Sequence, residues 1–563
     1  MRSLAGAECD RSLKVPIAGP GVGRIVRCFK RRVRKEAGVR TPVSTIGDIF
    51  TRAHALYADR PAVRDDHHTL TYDALGREAR RFANAIRISG VNSGARVLMI
   101  APNSCDWVIA DHGLTIGGYT RVGVLPRLHS AEVEQIADDI EPAMVIVDSQ
   151  WLADNSDSWI PDSVKHVLIC GDEKSLTGRH QGFTEFVSQG TDDELPSPDP
   201  QSTAWVMYTS GSTGKPKGVL ASQYSVGAHV RNGLHEVEFK TTDVSLHTAP
   251  ISHFSGTIHH NTVAVGGLNV LKPRFDAVSV LDAARAGEVT ILPLVPTMIT
   301  MLLDEMSDRE KPTGKVGNVR MLPYSGSAIQ PHRAAQAREY FGDVMHQFYG
   351  ASESPLPISV LRPTDHADIV NSMGLSRLES AGRPADFVDV KILDDNGEEV
   401  PTGQRGEIAV RGDQVSPGYW RSPTSTAEVF VDGWLRSGDV GCIDEHGYLF
   451  IIDRRKDMII TGGFNVYPRE VENVIVSLPG VHSVAVVGAP DRQWGEVITA
   501  VVVREPGGKI DETAVIAHCR RFLGGFKVPK RVSFVSELPT SGAGKVLKAR
   551  IKADLWVGHQ RLV

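Results

Sequence analysis

Tyr208-Thr-Ser-Gly-Ser-Thr-Gly-Lys-Pro-Lys-Gly218 directly follows the strand-like run Ala204-Trp-Val-Met207. Its small hydroxylated and glycine residues leave backbone N–H groups and hydroxyls free to close on a polyanion, and its lysines add positive charge. We therefore predict a phosphate-binding loop; the alternative is a flexible surface loop. The common P-loop spacing fails, because the residue five places after Gly211 is Pro216. A hydrolase nucleophile elbow is excluded, since Ser210 stands where that elbow requires glycine.

The surrounding sequence reads as α/β. Helical periodicity over residues 74–88 is followed by the apolar run Val97-Leu-Met-Ile100, and similar short runs recur at 143–148 and 166–170. Short buried strands separated by helices are typical of a parallel-rich sheet with flanking helices. We therefore predict an α/β fold whose large N-terminal domain has this architecture.

The five consecutive charged residues Asp453-Arg-Arg-Lys-Asp457 separate two apolar runs, which predicts a domain boundary there. Beyond it the sequence indicates a helix over 468–478, strands at 484–487 and 497–503, and a helix over 512–522. We therefore divide the chain into a core domain at 41–452, a hinge at 453–457 and a small mobile α+β domain at 458–563.

The first forty residues differ from the rest. They carry 11 Lys or Arg and 3 Asp or Glu, a local charge of +8. We predict a disordered basic extension over residues 1–40. The alternative is a basic amphipathic helix around residues 25–36 that makes peripheral contact with an anionic membrane.

Composition excludes several classes of protein. The 563 residues are 41% hydrophobic and 23% charged, which is typical of a globular chain. The net charge of −5 argues against nucleic-acid binding. The six cysteines form no C-x-x-C pair, so we expect a reducing, cytoplasmic location rather than a disulfide framework. The sequence contains no run of 18 apolar residues, so we predict no transmembrane helix.

Six ordered motifs over about residues 45–550 closely resemble those of the adenylate-forming superfamily, which includes acyl- and aryl-CoA synthetases, adenylation domains of peptide synthetases and firefly luciferases. The resemblance implies that the loop binds ATP phosphates and that Thr213 contributes to a Mg²⁺ site. The implied phosphate-binding residues are Thr209, Ser210, Gly211, Ser212, Thr213, Gly214, Lys215 and Lys217.

The stretch Gln347-Phe-Tyr-Gly-Ala-Ser-Glu353 matches the second family signature. The resemblance implies that Tyr349, followed by Gly350, stacks on adenine, that Ser352 offers a hydroxyl to phosphate and that Glu353 holds Mg²⁺. Ser325-Gly-Ser-Ala328 occupies the place of the adenine-side glycine turn, so Gly326, Ser327 and Ala328 are assigned to the nucleotide.

Later motifs supply the remaining roles by the same resemblance. Asp439 in Gly433-Trp-Leu-Arg-Ser-Gly-Asp439 is expected to accept hydrogen bonds from the ribose, Arg454 to reach the nucleotide and Lys456 to act as the pivot. Lys545 is expected to enter the site during adenylation. Gly462 and Gly463 are expected to line the tunnel for the pantetheine arm of coenzyme A.

The acid is expected near Ala249-Pro-Ile-Ser-His-Phe-Ser-Gly256. His253 matches the carboxylate-side position of acyl and aryl ligases. Phe254 stands where amino-acid-activating relatives typically hold an aspartate, so we expect an apolar acid. The predicted pocket residues are His253, Phe254, Gly256, Ser325, Gly326, Tyr349 and Gly350. The nearby histidines His247, His259 and His260 form an incomplete ligand set, so we expect no metal there.

Together these features predict an acid–CoA ligase that uses ATP and Mg²⁺ to form an acyl-AMP and transfers the acyl group to coenzyme A. We favour a medium- or long-chain fatty acid. An aryl or cyclic acid, or loading of a separate carrier protein, is the alternative. Because the sequence stops at Val563, soon after the last motif, we expect a free acceptor. A homodimer is left open.

Overall fold

The computed structural model describes residues 45–171, 178–209, 216–307, 311–327, 329–367, 369–461, 464–491, 494–540 and 546–557. The predictions for residues 1–40, for loop residues 210–215, and for Ala328, Gly462, Gly463 and Lys545 lie outside these ranges. Within the ranges, no helix combines the length and the apolar character that crossing a bilayer requires.

A mostly parallel sheet has at one edge the antiparallel strand pair that flanks the predicted phosphate-binding loop. The strands up to residue 222 are β1 (Pro61–Arg64), β2 (Thr69–Thr71), β3 (Arg96–Ile100), β4 (Thr120–Gly123), β5 (Met144–Asp148), β6 (His166–Cys170), β7 (His180–Gly182), β8 (Thr203–Thr209) and β9 (Lys217–Ser222). The sheet has the order β7-β6-β5-β3-β4-β8-β9, and only β8 and β9 pair antiparallel in it. The predicted strands at 97–100, 143–148 and 166–170 are confirmed as β3, β5 and β6.

Helices bury both faces of this sheet. They are α1 (Ile46–Leu56), α2 (Tyr72–Ile88), α3 (Cys105–Ile116), α4 (Ser130–Ile140), α5 (Ser149–Asn155) and α6 (Phe183–Ser188). Side chains of β3 alternate between the faces, so Val97 packs in one core cluster and Leu98 in another. The predicted helix at 74–88 is confirmed as α2, which starts earlier because the Thr71 side chain accepts a hydrogen bond from the Ala74 backbone.

Further sheets complete the large lobe up to residue 384. One has the order β10-β11-β1-β2 and another the order β12-β13-β14-β15. The added strands are β10 (Val244–His247), β11 (Leu268–Leu271), β12 (Leu322–Tyr324), β13 (Met345–Ala351), β14 (Ser354–Leu361) and β15 (Arg383–Pro384). The added helices are α7 (Gln223–Glu236), α8 (Phe254–Ala264), α9 (Ala277–Arg285), α10 (Pro296–Ser307) and α11 (Pro331–Phe341). Because β12 and β13 run parallel with Tyr324 opposite Gln347, the Ser325 turn lies beside Tyr349.

An antiparallel sheet then leads into the predicted hinge. Its elements are β16 (Asp389–Leu393), β17 (Gly406–Arg411), α12 (Pro423–Val429), β18 (Phe430–Val431), β19 (Trp434–Ile443) and β20 (Leu449–Arg454). The order is β16-β17-β19-β18, with β20 on the other part of β19. Asp453 and Arg454, the first residues of the predicted hinge, still pair with β19, and a 3₁₀ turn follows at Arg455–Asp457. The hinge itself stays a prediction.

The C-terminal part is α+β, as predicted. It comprises β21 (Ile459–Thr461), β22 (Phe464–Val466), α13 (Pro468–Val476), β23 (Val481–Asp491), β24 (Gly495–Arg504), α14 (Glu512–Phe522), β25 (Arg531–Val535) and α15 (Lys548–Leu555). The predicted helices are confirmed as α13 and α14, and the predicted strands lie within the longer β23 and β24. The helix α15 was not predicted from the sequence.

Candidate active site

Lys217 is the first residue of β9 and pairs with Thr209, the last residue of β8. The predicted phosphate-binding loop connects these two residues. Lys217 Nζ donates a hydrogen bond of 3.0 Å to Ser425 Oγ and lies 5.6 Å from the centroid of the Tyr419 ring. The Tyr419 hydroxyl in turn donates to Glu353 Oε1 at 2.8 Å. The end of the loop hairpin and the predicted Mg²⁺ carboxylate are therefore linked through Tyr419.

Backbone pairing places Tyr419. Residues 416–420 run alongside β9, where the Trp420 N–H donates to the Gly218 carbonyl at 2.7 Å and the Leu220 N–H to the Gly418 carbonyl at 2.9 Å. Gly218 suits this approach, because a Cβ there would lie 3.2 Å from Trp420 Cβ, as well as 2.7 Å from Val206 Cγ1. Sequence reasoning missed Tyr419; the available signal was the aromatic pair after Pro417-Gly418.

Ser352 and Glu353 lie in the short connection between β13 and β14, next to the paired residues Ala351 and Ser354. The Glu353 carbonyl accepts a hydrogen bond from the Ser416 backbone at 2.8 Å. The preceding Gly350 has no room for a side chain, since a Cβ would lie 2.6 Å from Leu356 Cδ2. This tight connection presents Glu353 towards Tyr419.

Tyr349, Asp439 and Arg454 come together from β13, β19 and β20. The Tyr349 hydroxyl donates to Asp439 Oδ2 at 2.7 Å, and Arg454 Nε lies 3.3 Å from Asp439 Oδ1. Burial, and then the Asp439 charge, raise the pKa of Tyr349 well above its usual value. The phenol therefore stays protonated at neutral pH and acts as a donor to the carboxylate.

The turn before Asp439 holds its backbone. Ser437 Oγ donates to the Ile408 carbonyl at 2.7 Å and accepts a hydrogen bond of 3.1 Å from the Asp439 N–H. Gly438 has a φ of +72°, which favours glycine, and its N–H donates to Glu407 Oε1 at 3.2 Å. The motif around Asp439 is thus bonded directly to the neighbouring strand β17.

A cavity of about 260 Å³ lies between these elements. It is bordered both by residues of the predicted motifs and by residues that sequence reasoning did not select. The lining comprises Ala351, Glu353, Glu407, Tyr419, Glu428, Val429, Leu435, Arg436, Ser437, Gly438 and Arg455. Charged groups of both signs therefore face a space beside the Tyr349–Asp439 pair, which suits a ligand that carries both phosphate and metal charges.

Glu407 organises the arginines at this cavity. Its Oε2 lies 3.2 Å from Arg455 Nη1 and 3.8 Å from Arg436 Nη1. Glu407 is 8% exposed, so these pairs compensate a buried charge. No motif contains Glu407, and Arg436, although it lies within the quoted motif 433–439, was given no role there.

His253 lies just before α8 on the predicted acid side. Its Nδ1 is 2.8 Å from Ser252 Oγ. Burial lowers the pKa of His253 to about 4, so the imidazole is neutral at pH 7. Gly256 is confined by the backbone, since a Cβ there would lie 2.0 Å from the Ile251 carbonyl oxygen. Phe254 packs against an apolar cluster that includes Phe348, the neighbour of Tyr349.

For the remaining described residues of the predicted site, Ser325, Gly326, Ser327 and Lys456, the structure gives their exposure and backbone position. Ser325 is buried, whereas Gly326, with a φ of +93°, and Ser327 are exposed. Lys456 is exposed on the 3₁₀ turn after β20. The described structure therefore brings Thr209, Lys217 and Glu353 into one region and Tyr349 with Asp439 and Arg454 into the adjoining one.

A family model for AMP-binding enzymes matches residues 50–420. The chain belongs to the AMP-binding enzyme family. A second model, for the C-terminal domain of AMP-binding enzymes, matches residues 470–545. The resemblance to the adenylate-forming superfamily is thereby confirmed, as is the α/β fold class with a large N-terminal and a small C-terminal part. The bounds 41–452, 453–457 and 458–563 stay predictions.

Relatives of this AMP-binding enzyme span nearly its whole length. A medium/long-chain-fatty-acid–CoA ligase of Mycobacterium tuberculosis is 33% identical over 540 residues, which cover 92% of this chain and 91% of the relative. A feruloyl-CoA synthase of an Amycolatopsis species is 35% identical over 495 residues, covering 87% and 95%. The structure of ATP-bound MatB from Rhodopseudomonas palustris has a TM-score of 0.81 at 28% identity, covering 90% of this chain and 98% of MatB.

This AMP-binding enzyme is therefore an acid–thiol ligase of the acyl-CoA synthetase type, which uses ATP, Mg²⁺ and coenzyme A. The type of acid is not decided by these relatives, since one is named for fatty acids and the other for an aromatic acid.

Proposed function

We propose that this enzyme activates an apolar carboxylic acid, specifically a medium- or long-chain fatty acid, as acyl-AMP and transfers the acyl group to coenzyme A. The observation that carries the proposal is the Tyr349–Asp439–Arg454 contact beside a cavity bordered by Glu353. A buried carboxylate held by a neutral phenol and a cation is suited to accept hydrogen bonds from neutral hydroxyls such as those of ribose.

In the first half-reaction, a carboxylate oxygen of the acid attacks the α-phosphorus of ATP. A P–O bond forms, the bond to the β-phosphate oxygen breaks, and pyrophosphate leaves. No general base is needed, because the acid is ionised at pH 7. The enzyme must instead stabilise the negative charge that two approaching anions concentrate at phosphorus. We assign this task to Lys217 and the loop residues 210–215, to the Ser352 hydroxyl, and to Lys545.

The residues at the cavity fit a Mg²⁺ ion. Glu353 and Glu428 both border it, and carboxylate oxygens are preferred Mg²⁺ ligands. We propose that Glu353, with the Thr213 hydroxyl, holds the ion, which when bound neutralises phosphate charge. The Tyr419 hydroxyl keeps one Glu353 oxygen oriented by its 2.8 Å hydrogen bond.

The acid-side residues favour an uncharged, apolar acyl group. Phe254 and the adjoining cluster offer hydrocarbon surface, and we propose that the acyl chain lies against it. Since the His253 imidazole is neutral at pH 7, we assign it a hydrogen-bonding role towards the carboxylate rather than that of a cation.

In the second half-reaction, the coenzyme A thiolate attacks the acyl-AMP carbonyl carbon, the thioester bond forms, and AMP leaves. We propose that the small domain (458–563) turns about the 453–457 hinge at Lys456 between the two steps. Lys545 would then leave the site, and Gly462 and Gly463 would approach the pantetheine arm.

A direct assay tests the proposal. Purified enzyme with ATP, Mg²⁺ and a panel of fatty, cyclic and aromatic acids is assayed for pyrophosphate release, then for thioester with and without coenzyme A. We expect turnover with medium or longer fatty acids and thioester only when coenzyme A is present. Turnover limited to aromatic acids would establish the aryl-acid alternative, which the feruloyl-CoA synthase relative favours. Thioester formed only with a carrier protein would overturn coenzyme A as the acceptor.

A further inference from the structure

Behind the acid-side loop, the interior of the large lobe holds an unusual group of polar side chains. Asp111 comes from α3, and His259 and His260 come from α8. All three are at most 2% exposed. One ligand atom from each lies within 4.8 Å of the others. The sequence showed the adjacent histidines but gave no sign that Asp111, about 150 residues earlier, would complete a set of three.

The spacing suits a common ion. His260 Nε2 lies 3.5 Å from Asp111 Oδ2. Two ligand atoms bound at about 2.1 Å to a tetrahedral zinc ion are roughly 3.4 Å apart. Imidazole nitrogen with one carboxylate oxygen is also a ligand set that such ions accept. The pair is therefore separated as ligands are, at a distance longer than an ordinary hydrogen bond.

Four ligand-capable atoms of these side chains lack partners in the described structure, whereas His259 Nε2 lies 3.4 Å from His112 Nε2. Asp111 Oδ2, His259 Nδ1 and both ring nitrogens of His260 make no hydrogen bond with any described residue. A nearby buried histidine behaves differently, because His247 has Ser255 Oγ at 2.7 Å and Asn269 Oδ1 at 2.9 Å. Buried polar atoms are normally paired, so unpaired atoms that face one another indicate a missing ligand.

The surroundings hold this set in place and keep it dry. Arg121 Nη1 donates to Asp111 Oδ1 at 2.7 Å, which orients the carboxylate and leaves Oδ2 towards His260. The guanidinium of Arg121 lies 4.2 Å from the centroid of Trp205, and the Trp205 ring stacks on His260 with centroids 5.0 Å apart. A ligand whose other oxygen is fixed by a buried partner is typical of protein metal sites.

We propose that Asp111, His259 and His260 bind a divalent transition-metal ion of the zinc class, separate from the Mg²⁺ that acts at Glu353. The ion joins α3 to α8 and supplies the partners that these buried atoms lack. Its role is structural, since the site is enclosed in the core.

Metal content of the full-length enzyme tests the proposal directly. The unmodified chain is unfolded in denaturant that contains a metal chelator. It is then refolded with and without Zn²⁺, desalted and analysed by mass spectrometry for metals. We expect about one tightly held zinc per chain and a higher unfolding temperature for the zinc form. Refolding with Co²⁺ should give the intense visible absorption of a tetrahedral nitrogen–oxygen site. A chain that refolds fully and keeps only trace zinc and cobalt would overturn the proposal.

Matched variants locate the ion. His260→Ala should abolish zinc retention, whereas His247→Ala, which removes another buried histidine nearby, should retain it. Glu353→Gln should also retain zinc, because that carboxylate is assigned to Mg²⁺. If the His260→Ala chain fails to fold, the cobalt spectrum of the unmodified chain still decides the question. Equal zinc retention by His260→Ala and His247→Ala would contradict the site.

Discussion

Asp439 and Asp111 both have buried carboxylates with one oxygen beside an arginine. The two residues differ in whether the other carboxylate oxygen has a hydrogen-bond partner. At Asp439, one oxygen lies 3.3 Å from Arg454 and the other accepts a hydrogen bond from Tyr349. At Asp111, Arg121 binds one oxygen, and the other makes no hydrogen bond with a described residue. Both oxygens of the Asp439 carboxylate have partners within the described chain, whereas only one oxygen of the Asp111 carboxylate does.

The two regions also carry charge differently. The cavity side brings Glu353 and Glu407 together with Arg436 and Arg455. The interior instead contains neutral imidazoles, because burial lowers their pKa values. In the interior, the Asp111–Arg121 ion pair is thus accompanied by uncharged imidazoles, whereas the cavity is lined by charged groups of both signs. The two regions should therefore respond to different perturbations.

Acidification should give the largest effect, and it should act on the interior. Burial lowers the pKa of His54 to about 3 and the pKa values of His346 and His366 to about 4. Below pH 6.5 the unfolded chain binds protons that the folded chain does not, so the free energy of unfolding falls as pH falls. These three groups together contribute a slope of up to roughly 4 kcal/mol per pH unit between about pH 6 and 4.

Urea unfolding at pH 7.5, 6.5 and 5.5 measures this slope. From these three groups we expect a loss of about 1 kcal/mol between the first two values and a further loss of about 3 kcal/mol at pH 5.5. An unfolding free energy that stays constant down to pH 5 would contradict the neutral, buried histidines.

Arg121→Met comes next, because it breaks the interior pair while keeping much of the side-chain volume. Removing the guanidinium that pairs with Asp111 Oδ1 should lower the free energy of unfolding by about 3–5 kcal/mol. Arg77→Met, which removes the half-exposed pair with Asp73, is the matched control and should cost about 0.5 kcal/mol or less. Chemical denaturation of both variants checks the difference, and equal losses would remove the distinction between the two environments.

Lys545→Ala should leave stability intact and impair chemistry. Loss of a positive charge used at the developing phosphorus centre should slow pyrophosphate formation by roughly 10²- to 10³-fold. Thioester formation from supplied acyl-AMP and coenzyme A should be nearly unchanged, since Lys545 is assigned to the first step alone. Lys530→Ala, at an exposed lysine in the same domain, serves as the control. Equal loss in both half-reactions would rule out this assignment.

Tyr349→Phe should give the smallest effect. The variant keeps an aromatic ring and removes one hydrogen bond to Asp439, so KM for ATP should rise roughly 5- to 10-fold. Tyr448→Phe removes a similar 2.8 Å bond to Asp365 and should leave KM for ATP unchanged. Steady-state kinetics with varied ATP compare the two variants. An unchanged KM in Tyr349→Phe would show that Asp439 needs no such donor.

Local patterns in the sequence predicted much of the fold. The apolar runs of β3, β5 and β6 and the periodicity of α2 survive in the structure because each segment buries the face that its pattern displays. The helix at 512–522 was predicted to the residue, and the Asp511 side chain caps it. No strand was predicted at β13, where only the family signature over 347–353 was identified.

Local sequence patterns could not predict which side chains from different secondary-structure elements contact each other. Tyr419 meets Glu353 across 66 residues, and Arg121 meets Asp111 only because β4 and α3 pack together. Arginine and aspartate resemble surface residues in any local window, so their burial in the core could not be read from the sequence. Motif resemblance placed Tyr349 and Asp439 in one site, but not their direct hydrogen bond.

The strand β9 also has a consequence for synthesis of the chain. Its outer backbone groups are covered by residues 416–420, which are made about 200 residues after the strand itself. Until that segment emerges from the ribosome, the Gly218 carbonyl and the Leu220 N–H remain an open strand edge, to which another nascent chain can pair. Polypeptides that stop between residues 222 and 416 should therefore aggregate or depend on chaperones. Longer polypeptides contain residues 416–420, which pair with the edge of β9.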